Sequence, residues 1–176
     1  MNPWATWLAT YGTVRYQLSR KQGWHAFVTA PPREPFEVLS RTAMSRLSQE
    51  ELEDYNEARM VWNANLPTIK TSQLAAAYGI CDQVMASAYR DGDKLRGSGV
   101  IDADPGLGKT TIATRYARDV HRRVLRRDGP LTVEGHQRWP VAFIPLSAGV
   151  TLKGLNQQIL RFYGHPAVDP HVQGPR

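Results

Sequence analysis

The stretch Ala103-Asp104-Pro105-Gly106-Leu107-Gly108-Lys109-Thr110 carries the strongest fold signal in this sequence. Two glycines flank Leu107, and glycine is the residue that adopts the positive φ angles of a tight loop without steric cost. Such angles turn successive backbone N–H groups inward, so that they form a nest for an anion. A helix that begins near Gly108 would direct the positive end of its dipole at the same nest. The stretch therefore predicts an anion-binding loop at the start of a helix.

The spacing of these residues is that of the phosphate-binding P-loop, or Walker A loop, with Ala103 in place of its first glycine. We expect Lys109 to reach the β- and γ-phosphates of ATP, and Thr110 to ligate Mg²⁺ through its hydroxyl. The carboxylate of Asp104 would be repulsive beside a triphosphate, so its side chain is expected to point away. The predicted site for ATP and Mg²⁺ comprises Ala103, Asp104, Pro105, Gly106, Leu107, Gly108, Lys109, Thr110 and Thr111.

The segments around the loop alternate between strand and helix patterns. Residues 97–102 are predicted as a short buried strand, and residues 110–127 as a long helix stopped by Asp128-Gly129-Pro130. Residues 141–146 follow as a second apolar strand, and residues 151–163 as a helix closed by Gly164. This order predicts an α/β fold with a partial parallel sheet around the loop. The alternative is a glycine turn that caps a helix in which Lys-Thr occurs by chance.

The region before the loop is predicted to be helical. Ser48 and Glu51 form a capping-box pair at the start of one helix, and a second helix opens near Ser72 and ends before Gly92. The predicted organisation is an N-terminal arm with a proline-rich connector (1–35), a helical segment (36–95), a partial nucleotide-binding core (96–164) and a tail rich in proline and glycine (165–176).

The composition, with 41% hydrophobic and 22% charged residues, is that of a globular protein. No stretch approaches the roughly twenty apolar residues of a membrane span. Its single cysteine, Cys81, excludes an intrachain disulfide and favours a cytoplasmic location. The net charge of +6 is compatible with a polyanionic partner. One helical stripe supplies candidate contacts to double-stranded DNA, with a solvated arginine face as the alternative; it contains Arg115, Arg118, Arg122 and Arg126.

The loop sequence, preceded by a long helical region, resembles that of AAA+ ATPases. Residues 139–146 and 151–166 resemble the second strand and helix of the TniB/TnsC-type ATP-binding transposition proteins, in which such a helix ends in a similar Gly-x-Pro. The resemblance covers roughly residues 48–166 and is specific in the loop. It implies an ATP-binding regulator that assembles as an oligomer on DNA and recruits a transposase.

The sequence departs from this family after the loop. The acidic Walker B pair should follow a third apolar strand, and we find neither that strand nor the sensor residues or an arginine finger in this sequence. We therefore expect the chain to stop midway through its ATPase domain, and no residue is a candidate for catalysis. Two other hypotheses stay open: an AAA+ ATPase of the helicase-loader or initiator kind, and a remnant that binds nucleotide or DNA without turnover.

Overall fold

A computed structural model of the protein describes residues 2–12 and 16–168. Its α-helices are α1 (Pro3–Tyr11), α2 (Lys21–Thr29), α3 (Arg41–Met44), α4 (Gln49–Ala64), α5 (Ser72–Ala86), α6 (Lys109–Asp128) and α7 (Leu152–Tyr163), with 3₁₀ turns at Ser87–Tyr89 and Pro166–Val168. Two compact units are present: one combines α1 with Ala30–Ile69, and the other combines α2 with the chain from Lys70 onward. These boundaries differ from the four predicted zones, and most of the predicted tail lies outside the described residues.

The predicted α/β fold with a parallel sheet is wrong. Across residues 2–12 and 16–168, β-structure is limited to one antiparallel bridge between Leu131 and Gln137. Residues 97–102 and 141–146 have no regular secondary structure. Apolar β-branched residues favour extended backbone, but a strand also requires a neighbouring strand that supplies hydrogen-bond partners. The described part of the chain is therefore helical, without a P-loop sheet.

Both of these segments contact helices instead of strands. The Gly97 N–H donates to Ser87 Oγ at 2.7 Å, directly after α5. A Cβ built on Gly99 would lie 3.5 Å from Val84 Cγ2 of α5. In the second segment, Phe143 stacks on Trp24 of α2, with ring centroids 6.2 Å apart and ring planes at 8°. Phe143 thus packs on a helix, whereas residues 97–102, predicted as a buried strand, are exposed and include Val100 with 91% of its surface accessible.

The unit that contains α1 and α4 is built around an aromatic core. Trp4, Phe36, Tyr55 and Ala58 are buried together, and the Tyr55 hydroxyl accepts a hydrogen bond from the Leu39 N–H at 3.1 Å. The capping box predicted at the start of α4 is confirmed, because both of its hydrogen bonds are present. The bond from the Ser48 backbone N–H lowers the pKa of Glu51.

In the other unit, α2 and α5 pack against α6. The buried face of α6 consists of Thr114, Tyr116, Val120 and His121, and it is joined by the buried residues Trp24, Phe27 and Val28 of α2. The predicted helices after the loop are confirmed as α6 and α7. Glycines with positive φ terminate both, at Gly129 (+77°) and Gly164 (+67°), where side chains with a Cβ are disfavoured.

Candidate phosphate-binding site

The loop before α6 has the backbone conformation that the sequence predicts. Gly106 has φ of +84° and Gly108 has φ of +80°. A Cβ at either position would meet nothing within 4 Å, so the dihedral angle, and not crowding, requires glycine there. The Leu107 N–H donates to the Asp104 carbonyl at 3.4 Å, and the Ile112 N–H donates to the Gly108 carbonyl at 2.9 Å. A tight turn therefore leads directly into the first hydrogen bond of α6.

The N-terminus of α6 is open to an acceptor from outside. Five other helices begin with a side-chain cap, namely α1 (Asn2), α3 (Ser40), α4 (Ser48), α5 (Thr71) and α7 (Thr151). Gly108 offers α6 no side-chain acceptor, and the first turn of α6 contains no acidic residue. The first N–H groups of a helix have no partner within it. An anion at this point would accept hydrogen bonds from them and would meet the positive end of the helix dipole.

Lys109 folds back over the loop. Its Nζ donates hydrogen bonds to the carbonyls of Ala103 and Asp104, the latter at 3.1 Å. The ammonium group is therefore held against the loop by two neutral carbonyl acceptors. A phosphate group would be a stronger acceptor for the same ammonium group, because the attraction between opposite charges adds to the hydrogen bonds, whereas a backbone carbonyl is neutral.

A cavity of about 380 Å³ lies at the loop. That volume falls in the range of small-molecule sites, roughly 300–1,000 Å³. Six of the predicted residues line it: Pro105, Gly106, Gly108, Lys109, Thr110 and Thr111. Ala103 and Asp104 contribute the carbonyls that hold Lys109, whereas Leu107 points into solvent with 65% of its surface exposed.

The exposed Thr110 side chain is the predicted Mg²⁺ ligand of this site. Magnesium in nucleotide sites keeps several waters and is held by carboxylates and phosphate oxygens, so this hydroxyl would supply only one of its ligands. Among the described residues, no group of three or more His, Cys, Asp or Glu side chains could hold a metal by itself. The backbone carbonyl of Thr110 accepts from Thr114 Oγ1 at 2.8 Å, within the first turns of α6.

Three of the four arginines in the predicted DNA-binding stripe contact α2. The guanidinium groups of Arg115 and Arg118 lie over the Phe27 ring, 5.7 and 5.1 Å from its centroid. Arg122 Nε donates to the Val28 carbonyl at 2.7 Å. Arg126, one turn further along α6, is exposed. The stripe is thus partly a packing surface, which a local sequence pattern does not reveal.

A second cavity, of about 360 Å³, is an apolar groove between α5 and residues 99–102. Tyr116 of α6 lines this groove, and its hydroxyl donates a hydrogen bond to Asp82 Oδ1 at 2.7 Å. Burial raises the pKa of Tyr116, and the hydrogen bond to Asp82 raises it further. Burial also raises the pKa of Cys81 in the wall of the groove, so the thiol stays protonated, as expected of a structural cysteine.

Sequence reasoning missed His121, which is buried in the face of α6 that packs on α2. Its position could have been noticed, because it follows Ala117 by four residues on the apolar side of the helix. Its hydrogen-bond partner Trp24 could not be predicted, because Trp24 is 97 residues away in the chain.

Comparison with known proteins gave no match to any family model, curated protein or solved structure. No helix in the described parts of the chain is both long and apolar enough to cross a membrane. The functional assignment therefore depends on the geometry of the loop.

Proposed function

We propose that residues 103–111 bind the phosphates of ATP together with Mg²⁺. The observation that carries this proposal is the pair of positive φ angles at Gly106 and Gly108, placed immediately before the uncapped N-terminus of a 20-residue helix. Backbone N–H groups in such a turn form an anion nest, and the helix dipole adds to its positive potential.

Each polar group of the loop has a role in this proposal. Phosphate oxygens accept hydrogen bonds from the first N–H groups of α6. Lys109 exchanges its two carbonyl acceptors for the β- and γ-phosphates, and Thr110 supplies a hydroxyl to Mg²⁺. Hydrolysis would also require groups that hold the metal and orient a water, and we assign none. The proposed activity is therefore binding.

The wider biological role is proposed on the sequence resemblance alone. The loop and residues 139–166 resemble TniB/TnsC-type proteins, which supports a cytoplasmic regulator that binds DNA and recruits a transposase. The parallel sheet of that family is not found in the described residues, so the resemblance supports the role and not the fold.

Isothermal titration calorimetry with Mg·ATP tests the site through Lys109→Ala. We expect wild-type chain to bind and the variant to lose at least about tenfold in affinity, because a charged donor to phosphate is removed. Lys153→Ala is the matched control: Lys153 lies in the first turn of α7, a helix capped by Thr151, and its replacement should leave affinity unchanged. Equal affinities for wild-type chain and Lys109→Ala would contradict the proposal.

A thermal unfolding series gives a second readout on the same three chains. A ligand that binds only the native state stabilises it by about 2.7 kcal/mol at a hundred times its Kd. Wild-type chain and Lys153→Ala should show this shift with Mg·ATP, and Lys109→Ala should show it only at higher concentration.

A further inference from the structure

The side chains of Trp24 and His121 form a buried hydrogen bond between α2 and α6. Trp24 Nε1–H donates to His121 Nδ1 at 3.0 Å, and the two residues are 0% and 1% exposed. An indole N–H can only donate, so His121 Nδ1 must accept and cannot carry a proton. The docked arrangement of α2 thus requires a neutral imidazole.

The surroundings of His121 oppose its protonation. The Trp139 ring lies against it at 6.1 Å and 70°, and Phe143, stacked on Trp24, is uncharged as well. The titratable group that faces His121 from α2 is His25. The charged residues of α6 within three positions of His121 are Arg118, Asp119, Arg122 and Arg123. Burial, and then the like charge of His25, lower the pKa of His121 below its ordinary value of 6.5.

We propose that the Trp24–His121 pair is a proton-operated clasp, which holds α2 on α6 at neutral pH and releases α2 on acidification. A proton on Nδ1 would place two N–H donors face to face and leave a charge among aromatic rings. Both effects favour release, which hydrates the imidazolium and exposes Trp24, Phe27 and Val28. The clasp is independent of the proposed ATP site.

The direction of the pH dependence follows from linkage. Well above pH 6.5 the imidazole is neutral in both the docked and the released form, so docking is at full strength. Below pH 6.5 the released form takes up a proton that the docked form resists. The opening constant of α2 should therefore rise about tenfold per pH unit, until the lower pKa of the docked form is reached.

Hydrogen exchange of the α2 amides between pH 7.5 and 5, corrected for intrinsic exchange rates, tests the clasp in the full chain. Wild-type chain should show a nearly constant opening constant near pH 7.5, the tenfold rise per pH unit in Lys21–Thr29 below pH 6.5, and no such rise in α4. In His121→Asn, the Oδ1 atom can accept the same hydrogen bond but does not titrate, so the rise should disappear. His25→Asn keeps the clasp and should keep the rise.

Two results would overturn the proposal. One is an opening constant in wild-type chain that stays flat from pH 7.5 to 5, and the other is an equal rise in His121→Asn. Should that variant fail to fold, the ring-nitrogen chemical shifts of His121 in wild-type chain decide the question. They must report an unprotonated Nδ1 at pH 7.5 and protonation in step with the exchange of α2; protonation without faster exchange would reject the clasp.

Discussion

At the scale of single residues, Gly108 combines two properties that the proposed site needs. Its φ of +80° disfavours any residue with a Cβ, and its lack of a side chain leaves the N-terminus of α6 without a cap. Serine or aspartate, the usual caps, would place an oxygen on the N–H groups that a phosphate would otherwise bind. The same glycine therefore shapes the turn and keeps the anion site open.

Two glycine-to-alanine changes should have opposite effects on stability. Gly108→Ala should lower the free energy of unfolding by about 1 kcal/mol, because a Cβ is strained at positive φ. Gly79→Ala, in the exposed interior of α5, should raise it by about 0.5–1 kcal/mol through higher helix propensity. A new Cβ has nothing within 4 Å at either site, so differences in packing do not contribute to the two stability changes. Urea unfolding monitored by circular dichroism measures both values; a stabilised Gly108→Ala would contradict the backbone argument.

At the scale of elements, α6 has two functions along its length. Its first turn carries the candidate site, and its middle packs on α2 through Arg115, Arg118, His121 and Arg122. Arginine side chains cover apolar surface with their stems while their charged ends stay polar, so a basic stripe can belong to a packed interface.

The hydrogen bond from Arg122 to the Val28 carbonyl predicts a measurable difference between two arginines of the stripe. Arg122→Ala should destabilise the unit by about 1 kcal/mol, since it removes a donor from a carbonyl of a nearly buried residue. Arg126→Ala, one turn further along the exposed surface of α6, should change stability by less than about 0.5 kcal/mol. Chemical denaturation of the two variants checks this, and equal losses would show that the Arg122 contact contributes nothing specific.

At the scale of the whole molecule, the excess of positive charge favours contact with a polyanion, although three members of the stripe also contact α2. The net charge is +6. Within the stripe, Arg126 is exposed, and the contacts to α2 described above involve the other three arginines. Phosphate contacts release counterions, so their number is read from the dependence of affinity on salt.

In the DNA-binding role proposed above, Arg126→Ala should weaken binding to duplex DNA and lower the slope of log affinity against log salt by about one. Fluorescence anisotropy between 50 and 200 mM salt measures the slope, and Lys94→Ala, which removes a lysine paired with Asp91, is the control. A slope that is unchanged by Arg126→Ala would show that Arg126 is a solvated side chain without a phosphate contact.

The sequence by itself determined the features whose causes lie within a few residues. The capping box of Ser48 and Glu51 marks the start of α4, and glycines mark the ends of α6 and α7, because both signals act on adjacent backbone groups. The positive φ angles at Gly106 and Gly108 were predictable for the same reason. The local geometry of the candidate site is therefore encoded locally.

Only the tertiary structure decided which distant segments meet. Residues 97–102 and 141–146 have the composition of strands, but a strand forms only beside a partner strand. Instead, Gly97 bonds to Ser87 in an exposed segment, and Phe143 stacks on Trp24 of α2. Trp24 and His121 are separated by 97 residues, and Arg122 and Val28 by 94, so no local pattern indicates either contact. Contacts between residues this far apart in the chain depend on the packing of the whole unit. The burial of a side chain depends on all of its neighbours in space, whereas backbone conformation depends mainly on the nearest residues in the chain.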